Sequence, residues 1–234
     1  MSLRINTLVR KIPHILLALL GIFLVACLVK VAIWEHYYYS EKEGTPRNQP
    51  TQLGDVDTSD RDNIDETEIT EEQIFEYTVE PNKPRYLMAN FMGKNTKARV
   101  REVGLTKDGA MATLASIFDV AWYRDSGKPG EGGTVVMNAH NGGPTKTGIF
   151  KHLDLVQPGD IITIERGDGA IFKYEAIENK ILPLDKANAN MANMLKSPIA
   201  GRESLSLISC TGEWSQQQRT YLSRTMVRAV LVEK

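Results

Sequence analysis

The chain has 234 residues, a formal net charge of −1 and two cysteines, and 42% of its residues are hydrophobic. That length and apolar share let one ordinary core be buried, and two cysteines exclude a disulfide-stapled scaffold. The near-zero charge conceals a division, because residues 1–40 sum to +3, 41–76 to −9 and 77–234 to +5. Three regions of different character therefore follow one another.

The first is set by "IPHILLALLGIFLVACLVKVAIW", residues 12–34, which as a helix would span about 34 Å, enough for a bilayer core. Lys30 near its far end can carry its ammonium to the interface, where Trp34, Tyr37, Tyr38 and Tyr39 supply an aromatic belt. Arg4, Arg10 and Lys11 precede the run. The positive-inside bias then keeps residues 1–11 in the cytoplasm, makes 12–34 a single-pass signal anchor and exports all that follows. A cleaved signal peptide would need a shorter apolar region and a small-residue cleavage site, whereas this run continues. "LVAC" resembles a lipoprotein box with Cys27 as the lipidated residue, but an apolar stretch, not a polar one, follows Cys27.

Residues 35–83 hold the acid. "GDVDTSDRDNIDETEITEEQ" has few apolar residues and much like charge, so burial cannot offset the entropy of ordering and a flexible spacer is expected. A second reading has "EEQIFEYTVEP" fold back as a cover, with Ile74, Phe75, Tyr77 and Val79 to dock it.

From Pro84 to Lys234 the texture becomes short β-like runs: "ARVREVGL", "MATLASI", "GGTVVMNAH", "DIITIER", "AIFKYEAIENKILPL", "SLSLISC" and "TMVRAVLVEK", separated by turns such as "SGKPGEGG", "QPGD" and "RGDG". This spacing predicts a mainly β domain, a closed barrel or a sandwich, with helix only in "KANANMANMLKS" and "TGIFKHL". There is no P-loop, Rossmann glycine pattern or metal-spaced His/Cys cluster, so no cofactor, metal or nucleic-acid partner is expected.

An exported thiol ordinarily ends in a disulfide, yet Cys27 lies in the membrane run and cannot reach Cys210. Alternation in "LSLIS" sends Leu205 and Leu207 one way and Ser206, Ile208 and Cys210 the other, and the run breaks at Thr211-Gly212. This places Cys210 at a strand end beside a cleft. A nucleophilic thiol needs a base. His140 ends "GGTVVMNAH" in the same fashion, whereas His152 sits in an amphipathic turn and reads as structural. A guanidinium suits a developing oxyanion, and Arg219, Arg224 and Arg228 all follow Cys210.

The order His140, Cys210, arginine resembles the sortases, membrane-anchored cysteine transpeptidases of Gram-positive-type cell surfaces. The resemblance covers residues 84–234 and rests on "FDVAWYRDSGKPGEGGTVVMNAHNGG" leading to the histidine, "GIFKHLDLVQPGDIITI", "LSLISC" at the cysteine and "SRTMVRAVLV" at the arginine. It implies a closed barrel of about eight strands with few short helices, His140 and Cys210 as catalytic residues, and Arg224 rather than Arg219 as the third. Ser209 and Thr211, on either side of the cysteine, are implied as substrate-binding. Ala139 stands where the family has glycine, and Ser206 and Ser209 stand for its threonines. No Asp-Pro-aromatic lid of the pilin-polymerising subclass occurs in the spacer, and the usual Ile-Pro is missing ahead of the Trp-Tyr.

The activity so implied cleaves a C-terminal sorting signal of exported proteins through a thioacyl intermediate and joins them to an amine, a cell-wall precursor or a pilin lysine. Calcium regulation occurs in the family, with Glu165, Asp168 and Glu178 as the acids to consider. Two alternatives stand beside it: a surface cysteine peptidase that uses water, and a tethered, non-catalytic β-barrel with an inert Cys210.

Overall fold

The computed structural model describes residues 64–91, 94–107 and 109–234. Eight strands, β1 (Pro84–Phe91), β2 (Lys94–Val103), β3 (Val120–Tyr123), β4 (Thr134–Asn138), β5 (Ile161–Arg166), β6 (Ile171–Pro183), β7 (Ser204–Ser215) and β8 (Thr220–Glu233), close into a barrel in the order β1-β2-β3-β4-β7-β8-β6-β5. Helices α1 (Glu71–Glu76) and α2 (Leu184–Met194) and a 3-10 turn at Leu153–Leu155 accompany them. The expected mainly β, closed architecture is thus the observed one. The pairs β2–β3 and β4–β7 are parallel and all others antiparallel. A parallel pair cannot be joined by a tight turn, so residues 104–119 form a long excursion between β2 and β3, and residues 139–203, which include β5, β6 and α2, separate β4 from β7.

Alternation sorts the side chains between two cores. On β4, β7 and β8 the odd-numbered Val135, Met137, Leu205, Leu207, Val227 and Ala229 join Leu87, Trp122, Ile164 and Tyr174 in one cluster, the barrel interior. The even-numbered Val136, Ile208 and Met226 point the other way, where Ala187, Met191 and Met194 of α2 and Met111 of the 104–119 excursion cover them. Several polar groups drawn into the interior are paired. The Trp122 indole N–H donates to the Gly127 carbonyl at 3.1 Å. Glu203, just ahead of β7, accepts from the Tyr174 hydroxyl at 2.6 Å and from the Gly130 and Gly132 amides at 2.9 Å each.

Three expectations change. "MATLASI" is irregular and makes only isolated bridges at Met111 and Ser116. Both edges of β2 and β3 are already taken within the closed barrel, which leaves this run no strand to pair with. "TGIFKHL" is not helical: its amides at Gly148, Ile149 and Phe150 donate to the carbonyls of Asn141, Ile117 and His140 at 2.9, 2.9 and 3.1 Å, so they are not available to a helical ladder. The 3-10 turn begins only at Leu153.

Residues 64–83, read from sequence as the end of the spacer, lie against the barrel. Thr70 and Gln73 form a reciprocal capping box that starts α1. The Tyr77 hydroxyl donates to the Val100 carbonyl at 2.6 Å, and Arg85 Nε donates to the Tyr77 carbonyl at 2.7 Å. Ile74 and Tyr77 are half-buried, whereas Phe75 stays 83% exposed. Acidic composition underrated this segment because its anchoring is largely backbone and tyrosine hydroxyl hydrogen bonding. The apolar run at 12–34 and the acidic stretch up to residue 63 lie outside the described residues. Among the described residues no helix is long and apolar enough to cross a membrane.

Candidate active site

The parallel β4–β7 pairing sets Val136 beside Ser206 and Asn138 beside Ile208. The pairing runs past the end of β4, because the Ala139 amide donates to the Ile208 carbonyl at 3.3 Å and the Ser209 hydroxyl donates to the Ala139 carbonyl at 2.9 Å. Continued by one residue, this register brings His140 level with Cys210. On the other side of β7, Cys210 is the direct partner of Arg224 on β8. Residues opposite one another in an antiparallel pair share a face, and Cys210 and Arg224 have the parity of Ile208 and Met226. The three residues therefore stand at one height on three neighbouring chains, on the outer face of the barrel beyond the methionine-rich cluster.

β7 does not end at Cys210. It continues to Ser215 through a register shift between Thr211 and Trp214, with Gly212 at φ 82°. The Thr211-Gly212 break read from the sequence is therefore a bulge, which bends a strand and re-aims its side chains. Cys210 is buried and forms no disulfide.

His140 is held by the 104–119 excursion: its Nε2–H donates to the Leu114 carbonyl at 2.7 Å. A carbonyl oxygen only accepts, so the proton of the neutral ring sits on Nε2 and Nδ1 is the nitrogen that gains and loses one. Burial pushes the His140 pKa below its ordinary value, and the Leu114 carbonyl opposes that shift in part. The unfolded chain therefore takes up a proton at a higher pH, near 6.5, than the folded one does. This contribution to stability is present above about pH 6.5 and is lost as pH falls through the folded value. Urea unfolding at pH 7.5 and at 5.5 is expected to show a larger acid-side loss for the native chain than for His140→Gln.

Arg224 is 3% exposed. Its Nη1 donates to the carbonyls of Tyr221 and Ser223 at 2.8 and 3.1 Å, and Nη2 donates to the Thr220 hydroxyl at 3.1 Å. Three of its five N–H groups thus fix the guanidinium plane on its own strand. Arg219 stands at the tip of the β7–β8 hairpin with φ 52°, and Arg228 pairs with Glu178 at 3.2 Å; Arg224 is the arginine opposite the cysteine. Ser209 has the interior parity and is buried, with its hydroxyl engaged by Ala139, whereas Thr211 is half-buried beside Ser223. His152 is exposed.

Sequence reasoning missed the Leu114 carbonyl, Thr220 and Asn138, whose amide donates to the Ala112 carbonyl at 3.2 Å and so ties the same excursion to the end of β4. The first is a backbone group and has no side-chain signature. The acids considered for calcium are each occupied by a cation: Glu165 by Arg85 at 3.5 Å, Asp168 by Arg166 at 2.6 Å and Glu178 by Lys180 at 2.6 Å. The Arg166 hydrogen bonds hold Asp168 well below the usual carboxylate range, at about 2.

The loop after His140 returns to it closely. A Cβ added at Gly148 would lie 2.4 Å from the His140 carbonyl oxygen and 2.8 Å from the Gly142 nitrogen. Both are backbone atoms and cannot swing aside. Gly148→Ala is expected to cost about 2 kcal/mol, read as a lowered denaturant midpoint at unchanged m-value.

A family model described as the sortase domain matches residues 93–232. No curated protein matches the chain. Among solved structures it is similar to a lid mutant of Streptococcus agalactiae sortase C1, at 19% identity over 71% of this chain and 77% of that one with a TM-score of 0.47. It is also similar to a lid mutant of sortase A from Corynebacterium diphtheriae (21% identity, 65% and 72%, TM-score 0.47). A Clostridium perfringens sortase D5 transpeptidase is a further likeness (19%, 70% and 90%, TM-score 0.43). The family match takes in β2 through β8 with His140, Cys210 and Arg224, more than half of the chain, and the protein is accordingly a member of the sortase family.

Proposed function

We propose that this transpeptidase cleaves the C-terminal sorting signal of exported proteins and joins them to an amine at the cell surface, with Cys210 as nucleophile, His140 as acid and base, and Arg224 as the oxyanion and substrate clamp. The observation that carries this reading is the pairing of Cys210 with Arg224 across β7 and β8, together with the β4–β7 register that, extended past Asn138, sets His140 beside Cys210. A thiolate paired with an imidazolium is the reactive form of such a site; burial disfavours the imidazolium by itself, so the pair arises when Cys210 passes its thiol proton to Nδ1 of the neutral His140 ring.

In the first half-reaction Cys210 Sγ attacks the carbonyl carbon of the sorting-signal threonine and its C=O electrons move to oxygen. As the oxyanion collapses the C–N bond breaks, and His140 Nδ1 delivers its proton to the departing amine, leaving a thioester on Cys210. In the second half-reaction the acceptor amine, a cell-wall precursor or a pilin lysine, attacks that thioester. It yields its proton to His140 Nδ1 and expels the Cys210 thiolate, which restores the starting pair. Nε2–H stays on the Leu114 carbonyl throughout, so one nitrogen orients the ring and the other carries the proton. Ser209 supports the reacting residues from behind by holding Ala139, and Thr211, next to Cys210 and paired with Ser223, is the further substrate contact in this reading. We place the enzyme on the outer face of the membrane, anchored through residues 12–34; the apolar length of that run and the basic residues ahead of it support this.

The test is intact-protein mass spectrometry of the full chain in detergent micelles with a library of threonine-containing peptides, with and without hydroxylamine. A peptide-sized thioester on Cys210 that hydroxylamine discharges as the hydroxamate is the expected result. Cleavage that leaves no adduct, and that hydroxylamine does not divert, would assign the chemistry to water and end the transpeptidase reading.

A further inference from the structure

We infer that Glu66, outside the barrel and far from the reacting residues in sequence, is a positioning residue for His140. It acts as a clasp that joins the excursion holding the imidazole to the loop that follows it. This rests on His140 being the proton carrier proposed above.

Two segments confine His140. One is the 104–119 excursion, whose Leu114 carbonyl takes the Nε2 proton. The other is the loop 141–148, which leaves His140 and returns so that the Phe150 amide donates to the His140 carbonyl at 3.1 Å and the Gly148 amide to the Asn141 carbonyl at 2.9 Å. Neither is a strand of the barrel: each closes on itself through one isolated bridge, Leu105 to Met111 and Gly142 to Thr147, and the Ile149 amide, just past the loop, donates to the Ile117 carbonyl at 2.9 Å.

The described chain opens with a short strap that touches both. Asp65 makes a parallel bridge to Ser116. Its amide donates to the Ala115 carbonyl at 2.9 Å, and its carbonyl accepts from the Ile117 amide at 3.1 Å, so the strap grips the excursion one residue beyond Leu114. The next residue grips the loop. Glu66 Oε1 accepts from the backbone amides of Thr145 and Lys146 at 2.8 Å each, and Oε2 accepts from the Thr145 hydroxyl at 2.5 Å. Lys146 returns the contact through its ammonium, 3.0 Å from Glu68. Gly143 lets the loop come this close, because a Cβ there would lie 2.5 Å from Glu66 Oε1 and 3.0 Å from Ile64 Cγ2.

One carboxylate thus satisfies two backbone amides and a hydroxyl at the tip of a loop whose own bonds, Gly143 amide to Lys146 carbonyl and Gly148 amide to Asn141 carbonyl, run within itself, and it makes a stronger tie than neutral hydrogen bonds do. The same three donors favour its ionised form, and the Glu66 pKa is lowered by the Thr145 hydroxyl first and by the two amides after it. The clasp therefore stays charged at neutral pH. Asp65 and Glu66 are neighbours in the chain, so a displacement of one segment is passed to the other. The ring keeps one tautomer only while the Leu114 carbonyl and the His140 backbone hold their relative positions.

The experiment uses the full chain in detergent micelles, labelled with 15N in its histidine rings, the His140 signal being the one absent from His140→Gln. Two quantities are read at pH 7.5: the ring 15N shifts, which report the tautomer, and the rate of Cys210 alkylation by iodoacetamide, located by peptide mapping to separate it from Cys27. The native chain should show a single Nε2–H tautomer. Glu66→Ala should show a mixture of tautomers and an alkylation rate lower by about ten-fold. Glu66→Gln, which keeps an acceptor for the amides, should recover most of both, while the charge control Glu72→Ala should change neither. Thr145→Val, which removes one bond at constant charge, should move both readings the same way by a smaller amount and serves if Glu66→Ala fails to fold. An unmixed tautomer with a native alkylation rate in Glu66→Ala, or in Thr145→Val should the former not fold, overturns the inference. If His140→Gln itself alkylates at the native rate, the failure lies instead with the proposed role of His140.

Discussion

Cys210→Ala is expected to lower peptide cleavage by on the order of 10⁴-fold or more, the scale seen when a nucleophile is deleted, while leaving the barrel folded. The two halves of this expectation have separate causes. The fold is spared because the change removes one sulfur from a strand whose pairing is carried by its backbone. Ser209, Cys210 and Thr211 face Thr225, Arg224 and Ser223 across β7–β8, and none of those ladder bonds involves the thiol. Loss of the sulfur's packing costs about 1 kcal/mol, within the stability of a domain of this size. The activity is lost because nothing else at that height can form an acyl bond. His140 has one nitrogen committed to Leu114, and the Ser209 hydroxyl is turned into the barrel onto Ala139. Cys210→Ser should be almost as inactive, since a hydroxyl is far less ionised than a thiol at the same pH. Residual cleavage by Cys210→Ala above about one hundredth of the native rate, with native thermal unfolding, would remove Cys210 from the chemistry.

The largest effect on stability is expected from Glu203→Ala, a loss of about 3–5 kcal/mol and a fall in Tm of about 10 °C for a domain of this length. Three donors converge on this carboxylate, the Tyr174 hydroxyl and the amides of Gly130 and Gly132. Tyr174 is 0% exposed, so its hydroxyl cannot turn to solvent once its acceptor is gone. Burial, and after it the Glu203 hydrogen bond, raises the Tyr174 pKa; the phenol remains a donor at any pH at which the protein is handled. The glycine amides hold the turn between β3 and β4 against the start of β7, so their release also loosens the entry to the parallel pair that carries His140 and Cys210. Glu203→Gln keeps one acceptor oxygen but turns an NH2 toward a donor, and should fall between the native chain and Glu203→Ala. Equal Tm values for Glu203→Ala and the native chain in differential scanning calorimetry would show that the turn is held by other contacts.

The face of the barrel that Cys210 takes was legible because it depends on alternation, which is written residue by residue. Leu205 and Leu207 entered the barrel core while Ile208 took the opposite face, as the "LSLIS" pattern required. β1 and β3 were not singled out, for different reasons. β3 is four residues long with its first three all buried, so no period of two appears in it, and β1 opens on Pro84, which reads as a turn but is tolerated as the first residue of a strand. The "MATLASI" run carried strand-like composition without a free strand edge to meet it, a fact of topology and not of composition. The strap from Ile64 to Lys83 was obscured in a similar way. Its acids suggested repulsion and solvent, yet Glu66 is consumed by amides and Asp65 is bridged through its backbone. What a carboxylate meets depends on the folded partner, which the local sequence does not contain.

The parallel β4–β7 pair has a consequence for when the enzyme becomes competent. His140 and Cys210 are made 70 residues apart, and no short hairpin between them can bring sulfur and imidazole together ahead of the rest. Arg224 arrives later still, on the final strand. Contacts between such remote points form late and slowly, in the millisecond-to-second range typical of barrels dominated by non-local pairing. The chain therefore holds Cys210 apart from its proposed partners until ring closure is complete, and its reactivity toward a peptide is a readout of finished folding.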